Sequence, residues 1–324
     1  MCVQIRKACS ETSLRKAYMR SAYRLTFALL IFASCIHHAG GQDAAAPLSS
    51  TARWASTIAE HYTIQPDITY GVANNYTLKL DVWQRKDVKA PAPTLIYYHG
   101  GGWVFGDRTG ATLLFLPYLE MGWNVINVEY RMASASPAPA AVEDCRCALR
   151  WAIRNAAKYN IDTERIVLTG HSAGGHLSLI TGMLPEGTGL DSNCYGDEKL
   201  KVAAIINWYG ISDVADLLQG PNLKNYAVMW LGSQSDRLAT AKRVSPLTYV
   251  RAGLPPIISI HGDSDDVVPY EHSVRLHQAL TAAGVPNQLV TIKGGKHGQF
   301  NDAELEDAYE KIRAFLQAHA LIQK

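Results

Sequence analysis

Short apolar runs without alternation recur along the chain: Thr94–Tyr98, Trp123–Tyr130, Arg165–Thr169, Lys201–Trp208, Pro255–His261 and Gln288–Ile292. Runs of this length predict strands buried on both faces. Ahead of them, Asp67–Val72 and Thr77–Trp83 alternate apolar and polar residues around Asn74-Asn75. That pattern predicts an antiparallel hairpin at a sheet edge. Helical periodicity fills the intervals at Thr112–Met121, Ala140–Tyr159, Gly175–Met183 and Tyr270–Ala283, and continues at Ala303–Ala320; Arg53–His61 predicts a further short helix. Strands separated by crossover-length helices imply an α/β fold, a mostly parallel eight-stranded sheet covered by helices on both faces. Residues 211–249 break the alternation with a polar, irregular stretch. They are predicted to form a small cap over the edge where the strands end, which is where ligands bind in such folds.

The start of the chain follows different rules. Leu25–Ile36 is an apolar stretch of secretory length, preceded by Arg20 and Arg24 and followed by Ala39-Gly40-Gly41. Residues 1–41 therefore read as a signal peptide, with 1–18 an extension ahead of a more typical start at Met19. Secretion or a periplasmic location is expected, with lipid anchoring at Cys35 the lesser alternative. No apolar run reaches the length of a membrane span, so no stable membrane partner is expected once the leader is cut. Residues 42–66 read as an Ala/Pro/Ser linker and the short helix, and 67–324 as one catalytic domain. The whole chain carries a formal +2, but removing 1–41 leaves 25 Lys and Arg against 28 Asp and Glu. The basic surplus belongs to the leader, and no basic patch with interleaved aromatics remains for nucleic acid. Of the cysteines, Cys145, Cys147 and Cys194 lie beyond the leader. Cys145 and Cys147 face opposite sides of a predicted helix. Unpaired thiols are expected for all three, with a disulfide from Cys194 to either helix cysteine as the alternative in an oxidising compartment.

Candidate chemistry centres on Gly170-His171-Ser172-Ala173-Gly174, which joins a β-branched strand to a helix. A serine at the apex of such a turn takes a strained conformation that lifts its hydroxyl clear of the sheet, beside the free NH groups of a helix N-terminus. A hydroxyl is a weak nucleophile and needs a base. His272 and His277 fall within one predicted helix and His319 in the last, whereas His297 stands in the glycine-rich loop Lys293–Gly298 directly after the final strand. His297 is the expected base. The acid should follow the preceding strand, where Asp263, Asp265 and Asp266 are available. Asp265 is expected, with Asp263 second. It would fix the imidazole tautomer without taking the proton itself. His99-Gly100-Gly101-Gly102-Trp103 follows another strand, and its glycines leave backbone NH groups free to face a developing oxyanion.

These blocks resemble a known family. Tyr130-Arg131 with Pro137–Asp144, Gly170–Leu177, Asn207–Gly210 and His261–Tyr270 are similar to successive motifs of the BD-FAE-like group of feruloyl and acetyl esterases, related to the hormone-sensitive-lipase-like esterases. The resemblance covers about Asp67 to His319. It implies an α/β-hydrolase fold, a nucleophile at Ser172, Asp265 in the HGxxDxxVP turn, and an oxyanion hole from Gly101, Gly102 and Ala173. It also implies structural roles for Arg131 and Asp144. No metal or organic cofactor is implied. The expected function is that of a secreted serine carboxylesterase acting on short-chain or plant-cell-wall esters, acetyl or feruloyl, free or linked to polysaccharide. Amide chemistry on the same parts, as an arylformamidase or serine peptidase, is the alternative enzyme. A hydrolase-fold binding module is the alternative without catalysis.

Overall fold

The structure, a computed structural model, describes residues 47–191 and 193–322. The expected signal peptide, its cleavage site and Cys35 lie outside the described residues. The chain divides into two compact units, Met1–Ala55 and Ser56–Lys324. Of the first, 47–55 are described, and from Ser50 they form the opening turns of helix α1 (Ser50–His61).

In the second unit, β1 (Tyr62–Ala73) and β2 (Tyr76–Arg85) make the edge hairpin, followed by β3 (Ala92–Tyr98), α2 (Leu116–Glu120) and β4 (Asn124–Val128). Then come α3 (Ala140–Arg154), α4 (Ala156–Tyr159), β5 (Ile161–His171), α5 (Ala173–Met183) and β6 (Ala204–Trp208). The cap region carries α6 (Asn225–Leu231) and α7 (Arg237–Arg243), and the chain closes with β7 (Ile257–Gly262), α8 (Glu271–Ala282), β8 (Asn287–Ile292) and α9 (Asp302–Ala318). The 8-stranded sheet runs β1-β2-β4-β3-β5-β6-β7-β8. β1–β2 and β2–β4 pair antiparallel and every later pair is parallel. This is the α/β-hydrolase architecture expected from the sequence.

Strand alternation decides what each face packs against. Along β3, Ile96 and Tyr98 join Leu149 of α3 and Leu177 and Ile180 of α5 on one face. Leu95 and Tyr97 join Ile312, Phe315 and Leu316 of α9 on the other. Both faces are covered, so the strands can be apolar throughout. The six parallel strands β3 to β8 all end at one edge, and each is followed there by one of the motif loops.

Two cysteines depart from the expectation of unpaired thiols. Cys147 and Cys194 form a disulfide across 47 residues of sequence, with Cα atoms 4.9 Å apart. Cys145 stays a buried free thiol, because it faces the core on the opposite side of α3. Arg131 and Asp144 form a buried pair, the Nη2–Oδ1 contact at 2.7 Å, and Asp144 Oδ2 also accepts from the backbone NH of Arg131 at 2.8 Å. This ties the loop after β4 to the start of α3, a structural role consistent with the one expected.

Candidate active site

Ser172 follows the last residue of β5 and precedes α5, with φ 56° and ψ −117°. A non-glycine residue there carries strain, which persists only where the surroundings over-determine it. The surroundings do so by close approach. A Cβ on Gly170 would stand 2.3 Å from the Tyr98 carbonyl oxygen, and one on Gly174 would stand 2.0 Å from the same atom. Only glycine at both positions lets β3, β5 and α5 converge on the turn. The Ser172 NH donates to the Trp208 carbonyl at 2.9 Å, pinning the turn to β6. Ser172 itself is half-buried, and its hydroxyl caps no NH of α5.

The loop after β3 lies against this turn: a Cβ on Gly100 would come within 3.7 Å of Ser172 Cβ. Gly101 has φ 115° and Gly102 φ 59°. Their NH groups, and that of Ala173 at the start of α5, have no hydrogen-bond acceptor among the described residues. Trp103, at φ 62°, anchors the loop from below. Its ring stacks on Trp230 of α6 at 4.1 Å, and its Nε1 donates to His176 Nδ1 at 3.2 Å.

At the ends of β7 and β8 the imidazole of His297 meets Asp265 rather than Asp263. His297 Nδ1 lies 2.7 Å from Asp265 Oδ2. The Asp265 side chain is fully buried, while that of His297 retains 19% exposure. Asp265 Oδ1 accepts from the NH groups of Val267 and Val268, each at 2.8 Å. Burial acts to raise the Asp265 pKa, but hydrogen bonds from His261 and His297 and from the Val268 NH outweigh it and hold the carboxyl well below the usual range. Asp263 points elsewhere, to Lys293 Nζ at 2.7 Å and to the NH of Gly294 at 2.7 Å. The Asp266 carbonyl takes Lys224 Nζ at 2.7 Å.

Neither Ser172 Oγ nor His297 Nε2 has a hydrogen-bond partner among the described residues. One aromatic ring packs against both His297 and the residue before Ser172. The Tyr209 ring, at the end of β6 with φ 40°, lies 5.6 Å from His171 and 4.7 Å from His297.

Several of these side chains were not assigned a role from sequence. His261 Nε2 sits 3.2 Å from Asp265 Oδ2 and 3.1 Å from the Val268 carbonyl, so it donates to the same acidic turn. Tyr226 Oη donates to the Val267 carbonyl at 3.1 Å, and its Cβ would lie 3.0 Å from a Cβ on Gly102. The cap thus braces the glycine loop and the Asp265 turn together. Residue type and spacing carried no signal for this beyond the aromatic character of Tyr226 and Trp230.

Two buried histidines beside the site make stability pH-dependent. Burial, with a smaller contribution from the charge of His297, pushes His171 down to about 3. Burial pushes His176 down to about 4, partly opposed by its hydrogen bond to the Val244 carbonyl. Both are neutral in the fold and protonate in the unfolded chain near the ordinary value of about 6.5. The stabilisation is therefore complete above that value and is lost as pH falls from about 6.5 toward the folded values. At pH 5 the loss should be about 2 kcal/mol for each histidine. Denaturant melts between pH 7.5 and 4.5 should show this slope. His176→Gln, which can accept from Trp103 and donate to Val244, should reduce it by about one proton. An unchanged slope would mean that His176 protonates in place.

Comparison with known proteins adds to this geometry. The BD-FAE family model matches residues 80–280. Esterase LipQ of Mycobacterium tuberculosis is 31% identical over 227 residues, which cover 67% of this chain and 53% of LipQ. The chain spans about half the length of the curated relatives it matches. Among solved structures, a truncated form of a carbohydrate esterase from gut microbiota is similar with TM-score 0.67 at 28% identity, covering 79% of this chain and 96% of that one. The propionate-bound esterase Est2 of Thermogutta terrifontis is similar with TM-score 0.68 at 25% identity, covering 82% of this chain and 96% of that one.

Proposed function

Since the chain belongs to the BD-FAE family, we propose that it is a serine carboxylesterase of short-chain or plant-cell-wall esters, acetyl or feruloyl, acting outside the cytoplasm. One observation carries the reading. A strained serine, three backbone NH groups without acceptors among the described residues, and a buried carboxylate paired with an imidazole stand after β3, β5, β7 and β8 on one sheet edge.

In the proposed mechanism Ser172 Oγ attacks the ester carbonyl while His297 Nε2 takes its proton. Asp265 holds Nδ1–H, so that Nε2 is the free base, and its negative charge stabilises the imidazolium. The NH groups of Gly101, Gly102 and Ala173 receive the oxyanion as it forms. Collapse expels the alcohol, which leaves with the proton from His297 and gives an acyl-Ser172. A water, deprotonated by His297, attacks in turn, and the proton returns to Ser172 as the acid departs. No step calls on a metal or organic cofactor.

The name of the gut carbohydrate esterase supports a sugar-linked ester, and the propionate on Est2 supports a short acyl group. The Cys147–Cys194 disulfide supports a secreted or periplasmic location, since such bonds persist in oxidising compartments. A panel of nitrophenyl acetate, methyl ferulate, acetylated xylan, N-formylkynurenine and aminoacyl anilides tests the reading. The esters should be turned over, and acetyl release from the polysaccharide should be measurable. Faster turnover of N-formylkynurenine or an anilide than of any ester would move the protein to amide chemistry. No turnover, with Ser172 unreactive toward organophosphates, would leave the binding-module alternative.

A further inference from the structure

His99, the residue ahead of the glycines, is buried, with 2% of its surface exposed. Its ring lies flat on Tyr130, centroids 4.3 Å apart and planes 13° from parallel. Tyr130 Oη donates back to the His99 carbonyl at 2.8 Å, so ring and backbone are fixed together. The ring's Nδ1 lies 2.7 Å from the Gly100 carbonyl oxygen. A carbonyl can only accept, so Nδ1 carries the proton and donates. The other nitrogen, Nε2, is buried without a hydrogen bond and faces Glu129 Oε1 at 3.5 Å. Gly106 closes the far side: a Cβ there would stand 2.9 Å from the Gly100 oxygen and 3.2 Å from His99 Nδ1.

The Gly100 carbonyl and the Gly101 NH belong to one peptide group. In a trans peptide they point in opposite directions, so a ring that holds the oxygen also aims the NH. Glycine on both sides makes this peptide easy to turn over, since neither residue penalises the alternative φ. A turned peptide would present the carbonyl oxygen, not the NH, to the developing oxyanion.

We propose that His99 is a positioning residue: its Nδ1–H grips the Gly100 carbonyl and thereby holds the Gly101 NH toward the substrate oxygen. The proposal rests on the oxyanion reading of Gly101 given above. Without the grip the Gly101 donor is lost from the transition state, and a lost donor of this kind costs about 10²- to 10³-fold in kcat. Ground-state binding depends little on it.

The test compares His99→Leu, which fills the space without a donor, with His99→Asn, whose amide NH2 can reach the same carbonyl. His99→Leu should lower kcat on nitrophenyl acetate about 10²-fold with KM within about threefold. Its affinity for a trifluoromethyl ketone, which forms an anionic adduct on the serine, should fall in parallel. His99→Asn should recover at least about tenfold of the lost kcat. A folded His99→Leu that keeps kcat, or that loses kcat and KM together without weakening the ketone, would overturn the proposal. Should the leucine variant not fold, the wild type still decides: a long-range proton–nitrogen spectrum should find His99 Nδ1 protonated, and an unprotonated Nδ1 would overturn it. If the wild type hydrolyses no ester and Ser172 takes no organophosphate, the oxyanion reading itself has failed, which none of the His99 outcomes would imitate.

Discussion

Ser172→Ala should lower ester hydrolysis by more than about 10⁴-fold while leaving the fold as stable as before. The second half of that expectation comes from the structure. The Ser172 hydroxyl caps no helix NH and has no hydrogen-bond partner among the described residues, so its removal strands no buried donor or acceptor. The unusual backbone at φ 56° is imposed by Gly170, Gly174 and the NH bond to Trp208, none of which the substitution touches. A residue held in a costly conformation, with a side chain that makes no structural bond of its own, is a candidate for chemistry. The check is a kcat/KM measurement beside a thermal melt, with mass spectrometry of the organophosphate adduct. Residual activity above a few per cent, or an adduct on another residue, would move the nucleophile elsewhere.

The parts of this fold that were legible in the sequence are those where burial dictates residue type. β3, β4, β6 and β7, and β5 from Ile166 on, are buried on both faces, so each reads as an apolar run, and the loops that follow them were located with the strands. Misreadings arose where a local competitor or a distant contact decides. The β1 strand runs five residues further back than the alternation suggested, through Pro66 and Asp67, by way of an irregular register between Gln65 and Ile68. Pro66 supplies no NH and Asp67 has φ 59°, so the pairing skips them and resumes. Ala140–Tyr159 is not one helix. Asn155 folds its side chain back to the Trp151 carbonyl at 2.8 Å, competing with the helical ladder, and the chain restarts as α4.

The cap was the least legible. Residues 211–249 read as polar and irregular, yet they hold α6, α7 and short 3₁₀ turns, and Ile211, Val214, Leu217, Trp230 and Leu231 are buried. Their apolar positions answer to Trp103 and the core beneath, not to a period of their own. The same holds for Cys147. Helical geometry places it opposite Cys145, but Cys194 comes from a loop whose path no local pattern encodes. In the site itself the reading gave parts to Ser172, Asp265, His297 and the glycine loop, and gave none to Tyr209 and His261, which stand within the family-like motifs, or to Tyr226. Each of these acts by touching something far away in sequence.

Asp265→Asn should lower kcat about 10⁴-fold, whereas Asp263→Asn should change it by no more than a few-fold. The contrast follows from what each carboxylate accepts. Asp265 Oδ1 takes two backbone NH groups, from Val267 and Val268. An asparagine would keep its carbonyl oxygen there and turn its NH2 to the Oδ2 position. Two further donors already point at that position, His297 Nδ1 at 2.7 Å and His261 Nε2 at 3.2 Å. His261 cannot yield, because its Nε2–H also serves the Val268 carbonyl while Nδ1 faces Ser273 Oγ at 2.7 Å. His297 therefore has to shift its proton to Nε2 so that Nδ1 can accept from the amide. In that tautomer the nitrogen meant to receive the Ser172 proton is already protonated, and general-base catalysis stops although every ring stays in position. Asp263 has no such consequence: it holds the exposed Lys293 and the NH of Gly294 in the loop ahead of His297, and an asparagine can still accept from that NH. Parallel kcat measurements on the two variants, with melts to exclude unfolding, separate the cases. The opposite ranking would assign the acid to Asp263 and leave the His297–Asp265 contact without a catalytic role.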